Sequence, residues 1–192
     1  MTKNPAKVKV RRATRTDIPA LVELNIAAYP NLAEENIVWG EAHLASHLRI
    51  FPQGQFVAEV KGKVVGAAST LVVDMGPDPL RNHTWSGVTD SGYFTNHDLT
   101  GDTLYGGDVY VHPEARGLGV GAALYEARRR LCRKLNKRRI LAGGRLWNYR
   151  DHAEHFSPAE YAEKVAAGEL RDLVLSFQLR EGFHLRGVMP NY

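Results

Sequence analysis

From Asp108 to Ala122 the chain reads Asp-Val-Tyr-Val-His-Pro-Glu-Ala-Arg-Gly-Leu-Gly-Val-Gly-Ala, with Arg116 directly ahead of three alternating glycines, Gly117, Gly119 and Gly121. The apolar Val109, Tyr110 and Val111 read as a strand end, the glycines as a tight turn, and the residues from Val120 onward as a helix. A strand-to-helix turn of this kind suits an anion. The first N–H groups of a helix have no acceptor inside it, and the helix dipole adds partial positive charge at the same end. Glycines let a diphosphate approach the main chain of Gly117, Leu118, Gly119, Val120, Gly121 and Ala122, and Arg116 adds a full charge beside it.

Two familiar phosphate sites fail on spacing. The dinucleotide fingerprint needs G-x-G-x-x-G with an acidic residue about 20 positions on. Here the glycines alternate, and no Asp or Glu lies between Glu126 and Asp151. The nucleoside-triphosphate loop needs Lys-Ser or Lys-Thr after the last glycine, and neither follows. An anion site of another class stays open, as does a turn that only packs a helix on a sheet.

The elements that must hold this turn are legible in outline. Residues 7–13 alternate as a strand. Thr16-Asp17 starts a helix with Pro19 in its first turn and Leu21, Leu24 and Ala28 on one face. A second helix is expected over 34–49, ending before Pro52. Residues 55–60 and 64–73 form a hairpin about Lys61-Gly62-Lys63, and 104–111 is the strand that feeds the motif. The motif helix runs over 118–135 with Leu124, Ala127, Leu131 and Leu135 inward, and Asn136 suits a left-handed cap. Then come a strand over 139–146, a helix over 158–167 closed by Gly168, a stretch of ambiguous period at 173–180 stopped by Glu181-Gly182, and a last strand over 183–189. Residues 74–103 form a long polar insertion whose aromatic content argues for order.

Length fits one domain, residues 1–192. The lone Cys132 excludes an internal disulfide, and the eight histidines are expected to offer neither H-x3-H nor HExxH spacing, so no metal is expected. No apolar run reaches the roughly 20 residues of a membrane span, and residues 1–5 lack a signal-peptide core, which points away from membranes and to the cytoplasm. Net charge is +4, yet residues 128–139 hold eight of the 25 basic residues. Three readings stand: a solvated helix face with most arginines outward, a nucleic-acid patch without the aromatics or module such a patch normally has, or a surface for an acidic partner or phosphate.

Arg116-x-x-Gly119-x-Gly121, preceded by Val111-His112-Pro113, resembles the acetyl-coenzyme A motif of the GNAT family of N-acetyltransferases, and the element order is similar over nearly the whole chain. The resemblance implies a mixed α/β fold whose central, mostly antiparallel sheet is splayed at the acetyl-CoA strand, with helices on both faces. It implies acetyl-CoA as co-substrate, its diphosphate on the glycine turn and its pantetheine along Val109, Tyr110 and Val111. The acceptor would be a small-molecule or peptide amine that attacks the thioester directly, under the 74–103 insertion. A strand amide, Val109 or Tyr110, is the natural oxyanion donor. Asp108 is a base candidate if strand parity turns it to the acetyl group, and a structural strand-end aspartate otherwise. His112 and Glu114 read as loop-structuring.

For the acid, the family's usual tyrosine position, four residues before Gly182-Phe183, holds Gln178. Tyr149, Tyr110 and Tyr93 are substitutes, His97 and His152 further candidates, and unassisted departure of the thiolate the remaining option. That gap keeps a second expectation alive, a catalytically weak acyl-CoA-binding domain that senses or recruits. Asn82-His-Thr-Trp-Ser86, Thr95-Asn-His-Asp98, Leu104-Tyr-Gly106, Gly143-Gly-Arg145 and Met189-Pro-Asn-Tyr192 resemble the N-terminal acetyltransferase domain fused to nitrilase-type carbon–nitrogen hydrolases. The family's final strand has no counterpart, so a second protomer or a hydrolase-type partner domain is expected to complete the sheet edge.

Overall fold

The computed structural model describes residues 7–30, 38–78, 80, 83–189 and 192. They fall into two compact units, Met1–Pro77 with Trp85–Ala142, and Asp78–Thr84 with Gly143–Tyr192.

The first unit is a five-stranded sheet in the order β1-β2-β3-β4-β5: β1 Val8–Arg12, β2 Phe56–Val60, β3 Lys63–Val73, β4 Thr103–Val111 and β5 Arg139–Ala142. All neighbours are antiparallel except β4 and β5, which run parallel. The β2–β3 hairpin closes as expected: Lys61 and Gly62 take φ of 52° and 78°, the pair of positive values that a two-residue turn of primed type needs.

Alternation along the strands divides the sheet into two faces. Val57, Ala67, Leu71, Tyr105 and Tyr110 face α1 (Ile18–Ala28) and α2 (Glu41–Ile50), meeting Leu21, Leu24, Ala28 and Leu44. The predicted buried stripe of α1 is thus in place. Ala58 and Ala68 face the motif helix α4 (Val120–Lys134), and Val72 and Leu104 meet its Leu131. Small residues under α4 let it lie close: a Cβ on Gly66 would stand 2.5 Å from Val120 Cγ1. The expected cap at Asn136 is present, with φ of 51°.

Three boundaries differ from the sequence reading. Helix α2 starts at Glu41 behind an extended Gly40; of its expected early part, residues 38–40 are not helical and 34–37 lie outside the described residues. Strand β5 stops at Ala142 instead of 146. Residues 183–189 form no strand, because Leu185 and Val188 are used in the core of the second unit.

The insertion is ordered where it belongs to the first unit. A short helix, α3 (Trp85–Thr89), leads into a tight turn that buries Phe94 completely. His47 Nε2 donates to Gly92 O at 2.6 Å, Ser46 Oγ donates to Tyr93 O at 2.9 Å, and the Val72 amide donates to His97 Nδ1 at 2.9 Å. His47 is stacked on Phe94, and burial pushes its pKa down to about 4. The unfolded chain therefore binds this proton more readily than the folded one between pH 6.5 and about 4. Falling pH across that window is expected to cost roughly 3 kcal/mol of stability. Urea unfolding at pH 7, 5.5 and 4.5 checks it: the loss should shrink in His47→Gln, and an equal loss in both proteins would assign the effect elsewhere.

The second unit packs Tyr161, Ala162 and Val165 of α5 (Pro158–Ala166) on Leu175 of α6 (Leu175–Arg180). Ser157 and Glu160 form a capping box at the start of α5. Asp172 ties the unit together, accepting from the amides of Asn148, Val174 and Leu175 and from the Tyr161 hydroxyl. Among the described residues no helix is long and apolar enough to cross a membrane.

Candidate active site

The centre of the site is a β-bulge. In the β3–β4 ladder Ser69 pairs with Asp108 and Thr70 with Gly106, so Gly107 is an extra residue on β4. One extra residue inverts the parity of everything beyond it. Tyr105 and Asp108, three apart, would face opposite ways on a regular strand. After the bulge Asp108 points to the α1 side, where Tyr29, the C-cap residue of α1, donates its hydroxyl to Asp108 Oδ1 at 2.8 Å. Gly107 is required here, since a Cβ would stand 2.5 Å from Phe94 Cζ.

The same place is where the sheet splays. Strand β5 pairs with β4 only from Thr103 to Gly106, while β4 runs on to Val111. The backbone polar groups just past the last pair are served by side chains instead. Trp85 Nε1 donates to Gly107 O at 3.0 Å, Arg128 Nη2 to Asp108 O, and Tyr29 Oη to Val109 O at 3.2 Å. The Val109 amide donates to Asp108 Oδ1 at 2.7 Å.

Among the helix arginines, most of which the solvated-face reading turns outward, Arg128 is the inward exception. Arg130 and Arg133 are exposed, but Arg128 is only 1% exposed and turns under the bulge. Its Nη2 reaches the carbonyl oxygens of both Ser69, at 2.8 Å, and Asp108, and its guanidinium lies 5.5 Å from the Tyr125 ring. Burial pulls its pKa below the ordinary arginine value. Arg128→Ala removes these bonds, strands two carbonyl groups and leaves a void, so a loss of roughly 3 kcal/mol is expected. The midpoint of urea unfolding at constant slope measures it, with Arg128→Met expected to recover the packing share alone.

The glycine turn has the form the sequence predicts. Gly117 and Gly119 take φ of 78° and 80°, values that favour glycine, and a Cβ at either would meet nothing within 4 Å. Backbone conformation, not crowding, thus demands glycine at both. Gly119 is the N-cap of α4, and Ala123 N–H is bonded back to Gly119 O at 3.0 Å, so the amides of Val120, Gly121 and Ala122 precede the helix's own ladder. Arg116, Gly117, Leu118 and Gly119 are exposed, whereas Val120 is buried as the anchor. Tyr110 and Val111 continue β4 toward this turn. His112 Nδ1 accepts from the Glu114 amide at 3.3 Å and shapes the chain before it.

The remaining candidates are dispersed. Tyr110 has its ring in the α1-side core and its hydroxyl enclosed; burial first, then Asp108, push its pKa well above the ordinary phenol value. Tyr93 lies on His43 with ring centroids 4.3 Å apart. Tyr149 belongs to the second unit, where it donates to Phe156 O at 3.0 Å; in that unit His152 stacks near Tyr161, and Gln178 lies against Gly144. Against the expectation of no H-x3-H spacing, His43 and His47 stand four apart on α2, but no third ligand joins them among the described residues. Tyr29 was missed altogether, since nothing in the sequence links it to a strand 79 residues away.

A splayed mixed sheet, a bulged strand bearing a carboxylate and a glycine turn at a helix start define an acyl-transferase class of site. The chain belongs to the Acetyltransferase (GNAT) family, whose model matches residues 18–156. It is 41% identical over 192 residues to Probable hydrolase YhcX of Bacillus subtilis (strain 168), a match that spans all of this chain and 36% of that protein. It is 37% identical over 183 residues to Uncharacterized N-acetyltransferase YkwB of the same bacterium, covering 95% of this chain and 80% of YkwB. The solved structure of the GphF GNAT-like decarboxylase in complex with isobutyryl-CoA shares the fold, with a TM-score of 0.79 at 24% identity over 96% of this chain and 90% of that one.

Proposed function

We propose that the protein transfers an acetyl group from acetyl-CoA to a primary amine of a small molecule or peptide, by direct attack within a ternary complex. The observation that carries this reading is the glycine turn ahead of α4. It offers the amides ahead of the helix's own ladder and the exposed Arg116 to a diphosphate, while the strand edge leading into it carries Asp108 and the Val109 amide. In this reading Arg116, Gly117, Leu118, Gly119, Val120, Gly121 and Ala122 hold the diphosphate, and Val109, Tyr110 and Val111 line the pantetheine. A strand amide, Tyr110 or Val109, stabilises the oxyanion, Val109 only by turning from Asp108 Oδ1, to which it is bonded at 2.7 Å, and Asp108 takes the proton from the attacking nitrogen. GphF, described with an acyl-CoA, supports the choice of co-substrate.

A second reading is an acyl-CoA-binding domain without efficient transfer. It is favoured by the Asp108 carboxylate sitting on the Val109 amide and by Gln178 at the family's tyrosine position. The length of YhcX beyond the match, together with its name, makes a hydrolase-type region in the same chain or as a partner part of this proposal. Calorimetric titration with acetyl-CoA, followed by thiol release over an amine panel, separates the readings. One-site binding with amine-dependent release supports transfer, binding without release supports the sensing domain, and no binding removes both.

A further inference from the structure

Resting on the acetyl-transfer reading, we propose that Tyr29 and Asp108 form a proton relay that carries the proton of the attacking amine to the departing thiolate. The relay explains how the chain dispenses with a tyrosine at position 178. Two donors converge on Asp108 Oδ1, the Tyr29 hydroxyl at 2.8 Å and the Val109 amide at 2.7 Å. Tyr29 is held for the purpose. Its backbone leaves the helix at φ −132° and ψ 61° with its amide still bonded to Asn25 O at 3.0 Å, and its ring tilts against Tyr110 at 6.2 Å. The other phenols proposed as acids lack this placement: Tyr110 is enclosed, Tyr149 is bonded to Phe156 O, and Tyr93 lies on His43.

The steps balance. The amine nitrogen bonds to the acyl carbon, the carbonyl electron pair moves to oxygen, and Asp108 accepts a proton from nitrogen. As the tetrahedral species collapses, the C–S bond breaks with its electron pair on sulfur. The Tyr29 hydroxyl turns from Asp108 Oδ1 to give its proton to sulfur, and the protonated Asp108 carboxyl then donates its proton back to the Tyr29 oxygen, reversing the direction of their hydrogen bond. Amine and thioester become amide and thiol, and both side chains end as they began. An ordinary phenol titrates about 1.5 units above an ordinary thiol, so donation by tyrosine alone runs uphill. Refilling from a carboxylic acid, several units below the thiol, makes the coupled transfer favourable.

The test is a double-mutant cycle with Tyr29→Phe, Asp108→Asn and the pair, measured as kcat and KM with an accepted amine and as acetyl-CoA affinity by calorimetry. Phenylalanine keeps the ring against Tyr110, and thermal midpoints check folding. The relay predicts a kcat loss of roughly a hundredfold in Tyr29→Phe, acetyl-CoA affinity unchanged within about twofold, and a double variant no slower than Asp108→Asn, because groups acting as a unit are not additive. A Tyr29→Phe protein with wild-type kcat, or losses that multiply in the double variant, overturns the relay while leaving acetyl transfer standing. A wild-type protein that binds no acetyl-CoA, or releases thiol with no amine, overturns the transfer reading and the relay with it.

Discussion

Asp108→Asn is expected to lower kcat by roughly 10²- to 10⁴-fold, the range associated with losing a positioned general base. The substitution is chosen for what it keeps. An asparagine oxygen still accepts from the Val109 amide and the Tyr29 hydroxyl, the two bonds that Asp108 Oδ1 makes at 2.7 and 2.8 Å, so the bulge retains its shape. Only the ability to take a proton goes. The loss should therefore fall on kcat and kcat/KM together, with KM for acetyl-CoA little changed, as when an interaction made only in the transition state is removed. Thiol release under saturating acetyl-CoA measures it. A variant within about threefold of wild type would show that another group, or water, serves as base and that Asp108 is a strand-end bracket.

The elements around this residue were largely legible because their signals are local. Periodicity marked the inner faces of α1 and α4, Lys61-Gly62 marked the hairpin, and Asn136 marked the left-handed cap. The bulge was not legible, although it decides which way Asp108 points. Gly106 and Gly107 are both glycines for tertiary reasons, one beside Arg128 Nη1 and the other against Phe94 of the insertion. A pattern of period two carries no mark of the residue that breaks it. Arg128 does not stand out among the basic residues of 128–139, because helical spacing cannot distinguish a cation in solvent from one turned under a strand. The stretch at 183–189 has a strand's alternation but pairs with no strand among the described residues, and its Leu185 and Val188 pack into the core that α5 and α6 form. What escaped the sequence is thus what long-range contact decides: the reversal of one strand face, the buried guanidinium, and Tyr29 with its reach of 79 residues to Asp108.

Gly119→Glu tests the other end of the site, and acetyl-CoA affinity should fall by about a hundredfold or more. Two effects combine. Gly119 holds φ at 80°, where a side chain costs roughly 1–2 kcal/mol, a cost that falls on binding because the empty variant turn relaxes and has to be brought back to this conformation around the diphosphate. The new carboxylate also stands at the start of α4, where repulsion of a diphosphate a few ångströms away adds about 1 kcal/mol even at the dielectric of water and more at a protein surface. Together these approach the roughly 2.7 kcal/mol that separates two decades of affinity. Gly119→Ala separates the parts, carrying the backbone strain without the charge, and should lose about tenfold. No neighbour lies within 4 Å of a Cβ at this position, so neither variant should clash, and unchanged circular dichroism would locate the loss in the turn. The charge component should also shrink at high salt, because the turn is exposed and a Debye length is about 3 Å at 1 M. A folded Gly119→Glu protein that binds acetyl-CoA as tightly as wild type would place the diphosphate elsewhere, and with it the whole path from the turn to Asp108.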